Sequence, residues 1–301
     1  MNMRGIATLL LFVSLAAAQE YKLVVSWGEK GPGRGQLMGA HGIVIDKNDN
    51  VIVVDSRKSC VYRYTPTGTF LDEIGSGLGD GPGQFKMPRD AAISPDWKIY
   101  VADGANNRIQ VFSHEGKYLR SFGSKGSGPG EFLRAHALDF DSIGRLFIAD
   151  VDNSRIAVYD EKGKFTGTWG KAGSGPGEFH APHGLGVDRR GDVIVCNYYS
   201  PIQKFTPQGK LLLEFARSTP ESEFASFHSM CTDREGNIYV TARDKQRVSN
   251  ILKYDNGGKL LTRWTMPRKE HFVEDVAVDS IGRVFVTYQG RLGTGVHVFA
   301  K

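Results

Sequence analysis

Six side chains stand at one position of an internal repeat: His41, Arg89, His136, His183, His228 and Glu274. Successive members are separated by 48, 47, 47, 45 and 46 residues. Each lies five residues before a polar marker: Asp46, Ser94, Asp141, Asp188, Asp233 or Asp279. A neutral imidazole ligates a divalent ion or moves a proton near neutral pH. A guanidinium holds carboxylate or phosphate through paired donors. A module that varies one position among His, Arg and Glu aims those groups at a shared place.

The elements that must position them are short strands. Each repeat opens with a buried run such as His41-Gly-Ile-Val-Ile-Asp46 or His183-Gly-Leu-Gly-Val-Asp188, followed by a polar turn. A second apolar strand comes next, as in Val51–Val54, Ile99–Ala102 and Leu146–Ala149. An amphipathic third follows, as in Arg108–Phe112 and Arg155–Tyr159. A Gly-bearing turn leads to a fourth strand ending near an aromatic, as in Tyr118–Gly123 and Phe165–Gly170. Runs of β-branched and aromatic residues between Gly, Asn and Asp turns are strand and hairpin signals. No useful helical periodicity interrupts them.

Four strands per period of about 45 residues describe a β-propeller blade. The last repeat, Phe272–Lys301, has three strands, whereas Tyr21–Gly28 matches a fourth-strand pattern and belongs to no complete module. The expected fold is therefore all-β: a six-bladed propeller over residues 19–301, closed by its N-terminal strand. Closure of this kind protects the sheet edge at the seam. First strands line the channel of such a ring, so the six repeat-position residues crowd one mouth. His41, His136 and His228 come from alternate blades, about 120° apart, the arrangement of a three-histidine catalytic zinc with an open position.

Residues 1–18 read as a signal peptide: Arg4, an apolar run Ile6–Leu15, then Ala16-Ala17-Ala18. That run is about half the length a membrane span needs. The expectation is a secreted or periplasmic monomer with no membrane span. The net charge of +5 comes from Lys and Arg scattered along the chain, with no basic, aromatic-rich stripe, which argues against a nucleic-acid partner. Three cysteines, Cys60, Cys196 and Cys231, are too few for a disulfide framework. The Gly-Pro-Gly-x-Phe loops ending at Phe85, Phe132 and Phe179 precede no Lys-bearing helix, so they are turns whose Phe plugs between blades, and not phosphate cradles.

The motifs Asn106-Asn-Arg-Ile-Gln-Val-Phe112 and Asn153-Ser-Arg-Ile-Ala-Val-Tyr159 resemble the NHL repeat of six-bladed propellers. More narrowly, the starts Ala-His41-Gly, Ala-His136-Ala, Pro-His183-Gly and Phe-His228-Ser resemble those of the peptidyl-α-hydroxyglycine α-amidating lyases. That resemblance implies zinc on His41, His136 and His228, a structural calcium, a catalytic Tyr199 (or Tyr198), and Arg243 with Arg89 holding a substrate carboxylate. The resemblance's first catalytic arginine falls at Gly104, with Arg89 and Arg108 nearby. The activity implied is a carbon–nitrogen lyase acting on a small-molecule or peptide substrate at the channel mouth, releasing amide and glyoxylate. The competing expectation is a non-catalytic propeller that binds a protein or glycan partner.

Overall fold

The computed structural model describes residues 20–160, 162–198, 201–217, 222–269, 271–291 and 293–301. The expected signal peptide and Tyr199 lie outside the described residues. Among them, helical structure is limited to two single turns, Gly104–Asn106 and Val151–Asn153, and no helix is long and apolar enough to cross a membrane.

Six four-stranded antiparallel sheets form the blades. Blade 1 runs Ala40–Ile45, Val51–Asp55, Cys60–Tyr64, Phe70–Ile74. Blade 2 begins at Ala91–Ile93, blade 3 at Ala135–Phe140, blade 4 at Pro182–Val187 and blade 5 at Phe224–Thr232. Blade 6 takes Phe272–Val278, Val284–Gln289 and Thr294–Ala300 from the C-terminus and Lys22–Trp27 from the N-terminus as its outer strand. The seam pairs Lys22 with Ala300 and Trp27 with Val296, as the strand count requires.

Middle strands are buried along their whole length because each sheet is covered on both faces by its neighbours, and strands buried on both faces read as continuous apolar runs. An apolar cluster fills each blade interface: Phe85 with Val54 and Val101 between blades 1 and 2, Phe132 with Ile109 and Ile148 between 2 and 3, Phe179 with Ala149 and Val195 between 3 and 4. These three phenylalanines are fully buried. They are the interblade plugs expected of the Gly-Pro-Gly-x-Phe loops.

The Asn-x-Arg motif has a structural task. Asn106 and Arg108 both donate to the buried Asp103 carboxylate, and Arg108 reaches on to the main-chain carbonyls of Asp80, Gly81 and Gln84. Asn153 and Arg155 repeat this with Asp150 one blade later. The marker aspartates are turn residues. Asp46 accepts the N–H groups of Asn48 and Asn50, and Asp188 those of Arg190 and Asp192, which closes the first hairpin of the blade. Cys60, Cys196 and Cys231 are free thiols.

Candidate functional site

The repeat-position residues reach the channel through a backbone device. In five of the six first strands the antiparallel register shifts at that position: between Ala40 and Ile43, Ala135 and Leu138, Pro182 and Gly184, Phe227 and Met230, Val273 and Asp275. A bulge inserts an unpaired residue and re-aims its side chain. The extra residue in each case includes the His or Glu. Arg89 sits just ahead of the shorter blade 2 strand, its N–H donating to Ala102.

His41, Arg89, His136, His183, His228 and Glu274 line one cavity of about 680 Å³ with Tyr198, Phe272 and Gln289. Rings follow one another around it. Centroids are 5.2 Å apart for His41 and His136, and 4.4 Å for His136 and His183. Tyr198 then stands between two histidines, 5.4 Å from His183 and 4.7 Å from His228. His228 packs edge-on to Phe272 at 4.5 Å.

His41 Nδ1 lies 2.9 Å from the Arg89 carbonyl and His136 Nδ1 3.0 Å from the His183 carbonyl. A carbonyl only accepts, so both imidazoles carry their proton on Nδ1 and keep the Nε2 lone pair for the cavity. His41 Nε2 stands 3.8 Å from a Glu274 carboxylate oxygen. Burial is the first cause of low basicity here, reinforced by neighbouring cations. It pushes His41 and His228 down to about 3 and His183 to about 4. Burial acts oppositely on Glu274, raising it to about 7, with Arg89 pulling back. At neutral pH the site thus holds uncharged imidazoles beside a carboxyl poised to titrate.

Arg89 has no hydrogen-bond or ion-pair partner for its guanidinium among the described residues. Its stem crosses Gly104, where an added Cβ would sit 2.9 Å from Arg89 Cγ and 3.0 Å from the Met87 carbonyl oxygen. Arg108, the other arginine near Gly104, is committed to Asp103. Arg243 is not among the lining residues, although its charge reaches His228 and helps depress it. Its guanidinium lies 5.2 Å above the Phe272 ring, and its Nε donates to the Arg247 carbonyl at 3.1 Å. Sequence reasoning missed the convergence of Arg57, Lys86 and Arg134 with Arg89 on this cavity. They occupy different loop positions in successive blades, so along the chain they look scattered. It also gave Glu274 no role.

The donor chemistry suits a divalent ion, since Nδ1–H anchoring by a carbonyl is how metal-bound histidines are oriented. The placement does not. Among the described residues no group of three or more His, Cys, Asp or Glu side chains is set to hold an ion. His41 and His136 adjoin His183, whereas His228 Nε2 is 3.0 Å from Ser226 Oγ, within a nine-residue strand whose register shifts twice.

Bladed architecture and the closed seam define a six-bladed propeller whose channel mouth carries a ring of buried titratable groups. Residues 94–144 and 137–253 match the family model described as 6-bladed beta-propeller (DUF5128), and the chain belongs to that family. One stretch of 102 residues is 30% identical to a probable peptidyl-alpha-hydroxyglycine alpha-amidating lyase of Caenorhabditis elegans; it covers 32% of this chain and 29% of the relative's length. A virginiamycin B lyase from Staphylococcus aureus superposes over 92% of this chain and 85% of its own, with TM-score 0.63 and 14% identity. A gluconolactonase from Xanthomonas campestris does so over 88% and 86%, with TM-score 0.63 and 12% identity. At such identities the solved structures share the fold.

Proposed function

We propose that the chain is a carbon–nitrogen lyase of the peptidyl-α-hydroxyglycine type, acting at this channel mouth on an N-acyl-α-hydroxyglycine. The observation that carries this reading is the pairing of an unpartnered guanidinium, Arg89, with a near-neutral carboxyl, Glu274, in one cavity lined by uncharged imidazoles. The partial likeness to an amidating lyase names the reaction.

Arg89 holds the substrate carboxylate by charge-assisted hydrogen bonds, for which it has no hydrogen-bonded competitor among the described residues. A group titrating near the working pH makes an efficient proton acceptor, so the Glu274 carboxylate takes the α-hydroxyl proton. The electrons of that O–H bond form the new carbonyl, the carbon–nitrogen bond breaks, and its electron pair goes to nitrogen. Protonation of nitrogen by the carboxyl group gives the amide and leaves glyoxylate. Tyr199, outside the described residues, remains the alternative proton acceptor, with Tyr198 already in the cavity wall. Zinc on His41, His136 and His228 would be held at His228 by a nitrogen not engaged with Ser226, and no step here is routed through it. Export after cleavage at Ala18 is part of the same proposal.

Glyoxylate release from α-hydroxyhippurate tests the reading. Glu274→Gln lowers kcat by about 10²-fold or more, because it removes the proton acceptor. Arg89→Gln chiefly raises KM, because its partner carboxylate is present in ground and transition states alike. No glyoxylate from the wild-type protein, with or without added zinc, overturns the lyase assignment. Full activity in Glu274→Gln overturns that residue's role.

A further inference from the structure

The charge lining this cavity is one-sided. Arg57, Lys86, Arg89 and Arg134 all border it, and Glu274 is the one acidic side chain among its described lining residues. These cations come from blade 1 and from the segments leading into blades 2 and 3. The other side, with Tyr198, Phe272 and Gln289, contributes no cation to the lining among the described residues, and Arg243 lies over the Phe272 ring without joining that lining. Arg134 is partly occupied, its guanidinium 2.8 Å from Asp152, with its Nε buried and unpartnered. The side chains of Arg57, Lys86 and Arg89 have no hydrogen-bond or ion-pair partner among the described residues.

A single substrate carboxylate is satisfied by Arg89, which lies beside the imidazole ring. Arg57 and Lys86, both exposed at the rim, are then left over. Cations crowded on one wall of a low-dielectric cleft repel one another and raise the local concentration of anions. The cheapest way to relieve that repulsion is a ligand that supplies a second negative charge on the same side. The cavity volume is within the range for drug-sized ligands, large enough for such a molecule and an acyl body against the neutral wall.

We infer that the site selects an organic dianion: one carboxylate on Arg89 next to the histidines, a second anionic group on Arg57 and Lys86 at the rim. The inference rests on the channel mouth being a small-molecule site, and it specifies which molecules that site prefers. Within the lyase reading, the substrate is an α-hydroxyglycine whose acyl group ends in a second carboxylate.

Two compounds of equal length separate the ideas: N-succinylglycine, with two carboxylates, and N-butanoylglycine, with one, both lacking the α-hydroxyl and therefore not cleaved. Their dissociation constants are measured by calorimetry on the full chain, so the result does not depend on turnover. The succinyl compound binds about tenfold tighter at low salt, a difference of about 1.4 kcal/mol, and the advantage shrinks at higher ionic strength. In Arg57→Gln/Lys86→Gln the ratio between the two compounds collapses toward one; both positions are exposed, and a melting curve checks the fold. Equal affinities in the wild-type protein, or a preference that survives the double substitution, overturn the inference while leaving the small-molecule site intact. Binding of neither compound overturns both.

Discussion

Two histidine clusters invite comparison, one around the channel and one at the ring's seam. At the seam, His297 Nε2 is 3.0 Å from His271 Nδ1 and His297 Nδ1 is 2.6 Å from Ser26 Oγ on the closing strand. Tyr288 stacks on His297 at 4.1 Å and on His271 at 4.2 Å, nearly parallel to both. Burial, with His271 and Arg268 nearby, pushes His297 down to about 4, much as burial does in the channel. The pKa shifts are alike and the situations are not. Both nitrogens of His297 are engaged inside the protein, whereas His41 and His136 spend one nitrogen on a carbonyl and turn the other to a cavity. A depressed histidine pKa reports desolvation; an unspent lone pair beside an unpartnered arginine points to a ligand.

Removing the seam strand is the harshest test of that distinction. Deletion of Tyr21–Trp27 strips the partner from Val296–Ala300, takes Ser26 from His297, and removes Tyr21, which stacks on Trp264 at 4.3 Å and meets the Tyr239 hydroxyl at 3.0 Å. The channel ring receives nothing from this segment. The truncated chain should lose its cooperative melting transition or aggregate through the bared edge. An unchanged melting temperature would show that the seam contributes nothing to stability.

Acid should reveal both clusters together. His41, His136, His183, His228 and His297 have folded pKa values below the unfolded value of about 6.5, so below that pH the unfolded chain binds more protons than the folded one. Stability then falls as pH drops from about 6.5 toward 4, the level of His183 and His297. The raised carboxyls oppose this. Glu274 near 7, Asp139 and Asp275 near 6, and Asp90, which burial raises well above its ordinary range, lose stability as pH rises through the same window. Five histidines face four such carboxyls, and His41 and His228 are displaced furthest while His136 lies well below its ordinary value, so the histidines set the sign. Melting temperature against pH checks the sign. His297→Leu should reduce the slope by about one proton while leaving ligand affinity at the channel unchanged. A loss of channel affinity in that variant would join what the comparison separates.

The smallest effect is expected at Arg243. Its guanidinium caps Phe272 and does not line the cavity, so Arg243→Gln should weaken binding of an α-hydroxyglycine by less than about threefold. A loss as large as that of Arg89→Gln in the same titration would reinstate Arg243 as the carboxylate anchor.

Much of this was legible in the chain. The repeat near 46 residues, the missing strand after Thr294–Ala300 and its counterpart at Lys22–Trp27 fixed six blades and the seam, because strand period and turn chemistry are local properties. The shared position of His41, Arg89, His136, His183, His228 and Glu274 was equally visible. What those side chains do there was not. The bulges that turn them, the insertion of Tyr198 between His183 and His228, and the engagement of His228 with Ser226 depend on register and packing between blades. The spacing suggested three equivalent histidines; His41, His136 and His228 do line one cavity together with His183, but among the described residues no three are set to hold an ion.

The same division holds for charge. Sequence determined that Arg57, Lys86, Arg89 and Arg134 exist and that they are dispersed over 78 positions. Only closure of the ring brought them to one wall, because a propeller converts a repeat along the chain into a circle about an axis. Burial, a property of the closed ring, also decided that Glu274 titrates near neutrality while the imidazoles around it stay uncharged. Sequence chose the chemical groups; the tertiary structure set their protonation and which of them were left without partners.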